Sequence, residues 1–106
     1  MILFPNAFKP ILTGPSGGHY TMGEPEKNDI FHPYWEGVVE YHLLIYNRWG
    51  ELVFESNDVN IGWDGYLDGQ LASQDVYAWR CWGIFNNGKP FDLVGDVTLL
   101  HHDKTK

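Results

Sequence analysis

Residues 41 to 56, two alternating runs joined by a tight polar turn, constrain the fold of this chain more than any other stretch. In Tyr41-His42-Leu43-Leu44-Ile45-Tyr46, the side chains of Tyr41, Leu43 and Ile45 fall on one face of an extended strand, and those of His42, Leu44 and Tyr46 on the other. Asn47-Arg48-Trp49-Gly50 follows, with Asn first and Gly last, the preference of a type I turn. On the return run, Leu52 and Phe54 point one way and Val53 and Glu55 the other. An antiparallel hairpin accounts for the whole stretch. A helix does not, because no apolar period near 3.6 residues survives beyond a turn or two anywhere in the chain.

The reading extends to both sides. Ile2 to Phe8 predicts a first strand, which Pro5 confines to a sheet edge or to the strand's beginning. Residues 9–33 carry Lys9-Pro10, Gly14-Pro15, Gly17-Gly18, Glu24-Pro25 and His32-Pro33, punctuation that forbids a helix and predicts one long surface loop. Asp64-Gly65 and Asp68-Gly69, within a turn-rich stretch from Asp58 to Asp75, can both supply positive φ. Asp75 to Phe85 is the longest strand candidate, and bulky residues on both of its faces predict a central position. Asn86-Asn87-Gly88 predicts a hairpin through a type I′ turn. The return passes through Phe91 to Leu93, and Val97 to Leu100 closes the domain. The expected architecture is all-β, an Ig-like antiparallel β-sandwich of about seven strands. It occupies residues 1–106 as a single domain, with a long loop at 9–33 and a polar tail at 101–106.

Composition narrows the function. With 43% hydrophobic and 16% aromatic residues, the 106-residue chain can bury a core. Its formal net charge of −7 leaves no basic footprint for nucleic acid or for anionic headgroups. Cys81 is the single cysteine, so neither an internal disulfide nor a cysteine-based zinc site can form. Between Arg80 and Trp82 it is expected to be a buried, inert thiol. No apolar run approaches the roughly 18 residues that span a bilayer, and the residues after Met1 lack the basic leader and long apolar stretch of a secretory signal.

Candidate chemistry is sparse. Gly14-Pro15-Ser16-Gly17-Gly18 fits the serine-hydrolase pattern but lacks the strand and helix that would make it a nucleophile elbow. Asp64, Asp68, Gly69 and Asp75 fall in a calcium-loop register, yet Tyr66 breaks it and Asp75 stands where a bidentate Glu belongs, so turn-forming Asp-Gly pairs are the plainer reading. Glu24, Glu26, Asn28 and Asp29 form a second oxygen-rich cluster, read as a solvated loop. His101, His102 and Asp103 are metal-type donors, but neighbours on an extended chain point opposite ways, which predicts a frayed polar tail. His19, His32 and His42 have no partner at a recognisable spacing. No catalytic residue, metal site or cofactor is expected. Of the tryptophans, Trp63, Trp79 and Trp82 read as packing residues, and Trp35 and Trp49 as exposed. Exposed rings leave open an alternative, a carbohydrate-binding or adhesion module of a cell-surface protein.

Several phrases stand in a recognisable order: Phe4-Pro5-Asn6-Ala7-Phe8, then Asn28-Asp29-Ile30-Phe31, then Ile45-Tyr46-Asn47-Arg48-Trp49-Gly50 with Leu52-Val53-Phe54. Gly62-Trp63-Asp64-Gly65, Gly69, Val76-Tyr77 with Trp79-Arg80, and Gly95-Asp96-Val97-Thr98-Leu99-Leu100 follow. Together they resemble the type B C-terminal sorting domain of the type IX secretion system, the gliding-motility-associated C-terminal domain of Bacteroidetes. The chain departs from that pattern by inserting residues 11–27 and by running on through residues 101–106. The resemblance implies a targeting domain and not an enzyme, one that follows an upstream cargo and directs it through the periplasm and outer membrane to the cell surface or medium. Implied partners are the type IX translocon and a PorP/SprF-type outer-membrane protein, with no nucleic acid and no transmembrane segment of its own. The candidate recognition residues are Asn47, Arg48, Trp49 and Gly50 on the turn, with Val97, Thr98, Leu99 and Leu100 on the closing strand. β-Augmentation at an exposed edge strand is one docking mode open to such a sandwich.

Overall fold

The computed structural model describes residues 1–23 and 27–102. Nine strands and no helix form among them: β1 (Ile2–Leu3), β2 (Ala7–Phe8), β3 (Tyr34–Trp35), β4 (Val38–Tyr46), β5 (Leu52–Ser56), β6 (Tyr66–Leu67), β7 (Gln70–Leu71), β8 (Asp75–Phe85) and β9 (Pro90–Leu99). The main sheet has the order β2-β9-β8-β4-β5, and β1-β3 and β6-β7 are small separate pairs. All pairings are antiparallel except β2 on β9. The architecture is the expected all-β, Ig-like sandwich. Nine strands replace about seven because Pro5 divides the first one and Asp68-Gly69 closes a short hairpin of its own.

One face of the main sheet makes the core, as the alternation requires. Tyr41, Leu43 and Ile45 of β4, Tyr77, Trp79 and Cys81 of β8, and Phe91, Val97 and Leu99 of β9 are all buried. The facing layer brings Phe4 to 4.1 Å from Trp79, ring centre to ring centre, and Trp63 to 5.0 Å from Tyr77. β8 is the central strand, with Arg80 and Trp82 on its outer face.

Local detail departs from the expectations in four places. Ile45 pairs with Phe54 but Tyr46 with Leu52, so Val53 is an extra, bulged residue. Val53 is buried and Phe54 packs against the core beside it, which breaks the simple alternation along β5. The β8–β9 turn is not type I′: only Gly88 has positive φ (+86°), with Gly88 N donating to Phe85 O at 2.9 Å. It is a type I turn closed by a glycine bulge, the construction also used at Asn47–Gly50. The type I′ dihedrals occur instead at Asp68 (+53°) and Gly69 (+80°) between β6 and β7. Finally, β9 runs unbroken through Gly95, because the Trp79 indole lies where a Cβ would stand, 2.6 Å from Cζ2.

The described part of residues 9–33 is irregular but is more than a surface loop. Pro10, Phe31 and Pro33 are fully buried. Phe31 N donates to Trp63 O at 2.8 Å and Trp63 N returns a bond to Phe31 O at 3.0 Å. Asp64 fixes the segment from the other side: its Oδ2 accepts from Ser16 N and Gly17 N, both at 3.1 Å, and its Oδ1 from Tyr66 N at 3.0 Å. The Gly14–Gly18 phrase therefore wraps a carboxylate with its amides.

Cys81 is fully buried and burial pushes its thiol up to about 12. In native buffer at neutral pH it is expected to resist an aromatic disulfide reagent until the domain opens. Complete labelling within seconds, with the fold intact, would contradict the buried geometry.

Candidate recognition site

The β4–β5 turn is held by a closed set of bonds that its residue types dictate. Asn47 N donates to Glu51 O at 2.9 Å and Gly50 N to Asn47 O at 3.0 Å. The Asn47 carboxamide fills the inside of the turn: Oδ1 accepts from Trp49 N and Glu51 N, each at 3.0 Å, and Nδ2 donates to Glu51 Oε1 at 2.8 Å. Gly50, at φ +82°, takes the left-handed position that closes the bulge. This frame leaves Arg48 and Trp49 pointing outwards on a rigid base. Trp49 is 76% exposed and the Arg48 side chain 61% exposed. The guanidinium lies 5.2 Å from the Trp49 ring centre and Arg48 Nε 3.4 Å from Asp75 Oδ2. Below them is a hollow of about 270 Å³ whose wall includes Val53, Leu71, Ala72 and Tyr77.

The structure brings the two candidate segments to one end of the sheet. Asp75, the partner of Arg48, pairs in register with Leu99. Val97 and Leu99 turn their side chains into the core and are fully buried, while Thr98 and Leu100 are half-buried. Asp75, Leu71 and Tyr77 were not foreseen as parts of this end. The only local sign was that Asp75 begins the longest strand.

The remaining candidates disperse. Trp35 is half-buried, donates from Nε1 to Tyr20 Oη at 3.1 Å, and sits beside Gly37, whose carbonyl accepts from Asn86 at the far end of the sheet from Trp49. The two rings therefore stand at opposite ends of β4, and Trp35, expected to be exposed, is partly covered. His42 does have partners, Asn57 Oδ1 at 2.8 Å and Glu40 Oε2 at 3.2 Å, and stacks on Trp82. These contacts, the Asn57 bond first, push its pKa upwards. His32 stacks on Tyr20 at 3.6 Å and burial lowers its pKa; with His19 it borders a polar hollow of about 250 Å³. His101 is not frayed: its N donates to Gln74 Oε1 at 2.7 Å and its Nε2 lies 2.9 Å from Ala72 O. Glu24, Glu26 and Asp103 lie outside the described residues. Among the described residues no three His, Cys, Asp or Glu side chains gather as a metal site, and Asp64 spends its carboxylate on amides.

Comparison with known proteins places the fold first. The crystal structure of CopC from Methylosinus trichosporium OB3b is similar over 100% of both chains, with a TM-score of 0.52 and 14% identity, a likeness of fold alone. No match is found among curated proteins. The profile of the CHU_C type IX secretion signal domain matches residues 18–88, and the chain belongs to this family. Its role is accordingly in secretion sorting in Bacteroidetes, with export across the outer membrane to the cell surface or extracellular space. The family is not known as a catalytic one. The matched span includes Asn47–Gly50 and Gly62–Gly65 and ends before Val97. No helix of the described residues is long and apolar enough to cross a membrane.

Proposed function

We propose that the domain acts as a non-catalytic address label, read by the type IX translocon and a PorP/SprF-type outer-membrane protein. The observation that carries this reading is the Arg48–Trp49 pair, exposed, rigidly framed and inside the family match. Tryptophan and arginine dominate the binding energy of protein interfaces, above all where they need no ordering on contact. Asn47 and Gly50 serve as the frame. Val97 and Leu99 hold the closing strand from within, and Thr98 and Leu100 lie at the reading end. Chain preceding Met1 would enter at the opposite end, where Met1 N donates to Glu36 O at 3.0 Å, so a cargo joined there leaves the reading end clear.

The test is export. Residues 1–106 fused behind a periplasm-directed fluorescent cargo should carry it to the surface or medium of a host with a matching type IX system. Arg48→Ala and Trp49→Ala should each keep the fold, since exposed substitutions usually cost within about 0.5 kcal/mol, and should lower export. Periplasmic retention of the unmodified fusion, with its outer-membrane partner present, would refute the sorting reading. Unchanged export of the double variant would leave sorting intact and remove the turn from it.

A further inference from the structure

Pro5 has a consequence on the other side of the sheet. It takes the chain off β9 at Asn6, so β2 covers β9 only at Ala7↔Thr98 and Phe8↔Leu99. Thr98 N and Leu100 N donate across this edge to Asn6 O and Phe8 O, both at 2.9 Å. Strand alternation turns the backbone groups of Asp92, Val94 and Asp96 to the same edge, and no strand of the described residues pairs with them. Their side chains stand on the outer face, with Val94 76% exposed and both aspartates exposed. The opposite edge is poorer. β5 has five residues and the Val53 bulge, two devices that blunt strand pairing. β9 keeps an unshifted register with β8 from Asp75↔Leu99 to Ile84↔Pro90.

Charge selects what can lie there. Asp92 is held by Arg80, with Nε 3.1 Å from Oδ1 and Nη2 2.8 Å from Oδ2. Asp96 makes no ion pair or side-chain hydrogen bond among the described residues. A second copy of the chain, paired antiparallel about Val94, would set its Asp92 beside Asp96, and like charges opposite one another destabilise a ladder. A basic side chain in that place is favoured for the same reason, and an apolar one beside Val94 would cover its exposed methyls. We infer that the outer edge of β9 from Asp92 to Asp96 is a β-augmentation site. Its occupant is an extended segment of a partner protein with Lys or Arg beside Asp96 and an apolar residue beside Val94. The inference rests on the sorting reading for the partner's place in the export machinery, and deepens it by naming the edge and the pattern that fits it.

Two variants and a peptide test it. Val94→Pro removes only an outward N–H, which an edge strand tolerates, and Asp96→Lys reverses the unpaired charge. Both should melt cooperatively, and in the export assay both fusions should fall at least about tenfold below the unmodified one, equivalent to about 1.4 kcal/mol of association. If Val94→Pro lowers the melt, Asp96→Lys alone decides this arm. Export of Asp96→Lys at the unmodified level overturns the edge assignment and leaves sorting standing, whereas failure of the unmodified fusion strikes the sorting reading. The second arm uses a capped peptide, Thr-Lys-Thr-Val-Thr-Lys-Thr, which presents the pattern in either orientation. Amide hydrogen exchange should slow at Asp92, Val94 and Asp96 and stay unchanged at Leu93 and Gly95, already bonded to β8. The same peptide with Glu for Lys should protect nothing. Equal protection by both peptides, or none by the lysine peptide, overturns the inference.

Discussion

Trp63→Ala should cost the domain about 3–5 kcal/mol, the usual range for deleting a fully buried large aromatic side chain. A domain of this size has only about 5–15 kcal/mol in total, so the variant should lose a large fraction of its stability. The position explains the size of the effect. Trp63 is 0% exposed, and its ring meets Phe8 at 5.5 Å, Tyr77 at 5.0 Å and Phe54 at 6.4 Å. It therefore joins β2, β5 and β8 through one side chain placed between the two layers. Its Nε1 also donates to Tyr66 O at 3.1 Å, so truncation strands a part-buried carbonyl as well as opening a cavity. Trp63→Phe keeps most of the ring contacts and should lose markedly less. Urea unfolding followed by far-ultraviolet circular dichroism measures both. A Trp63→Ala unfolding free energy within about 1 kcal/mol of the unmodified domain's would mean that the layers are held elsewhere.

What could be read from the sequence was what neighbours along the chain decide. Tyr41, Leu43 and Ile45 alternate with their outer-face neighbours, and a strand must bury one of those sets. Asn47 and Gly50 announce a turn because each has a conformational or hydrogen-bonding reason to be there. The misreadings share a different cause: their reasons lie across the fold. Gly95 looks like the end of a strand until the Trp79 indole is seen lying over it. Asn87-Gly88 suggests a two-residue turn, but the register that pairs Ile84 with Pro90 leaves room for a longer one. Val53 bulges without any local signal. Asp64 reads as one half of an Asp-Gly turn, and its two distant amide donors come from 48 and 47 residues upstream. The Asn47–Gly50 turn was legible for the local reason. Its neighbours Asp75, Leu71 and Tyr77 were not, since only the packing of β6–β7 beside β8 brings them to it.

Gly18→Ala should be about as damaging as a core truncation, although it adds only one methyl to an irregular segment. Gly18 lies where the 9–33 segment crosses the chain before Trp63: Gly62 N donates to Gly18 O at 2.8 Å, and a Cβ on Gly18 would stand 2.0 Å from Gly62 O. That oxygen belongs to the backbone, so relief requires moving the main chain away from a buried tryptophan and a paired Phe31. Positive φ adds a second cost, roughly 1–2 kcal/mol for any L side chain, and overpacking typically adds about 1–3 kcal/mol more. Gly17→Ala separates the two terms. Gly17 also has positive φ, at +90°, but its Cβ would meet nothing nearer than His19 Cδ2 at 3.6 Å. It should therefore show the conformational cost alone, and Gly18→Ala should unfold at clearly lower urea. Equal midpoints for the two variants would show that the crossing is slack and that residues 9–33 are pinned chiefly by Asp64. A wide gap would show that this segment is built into the sandwich at the contact that seats Trp63.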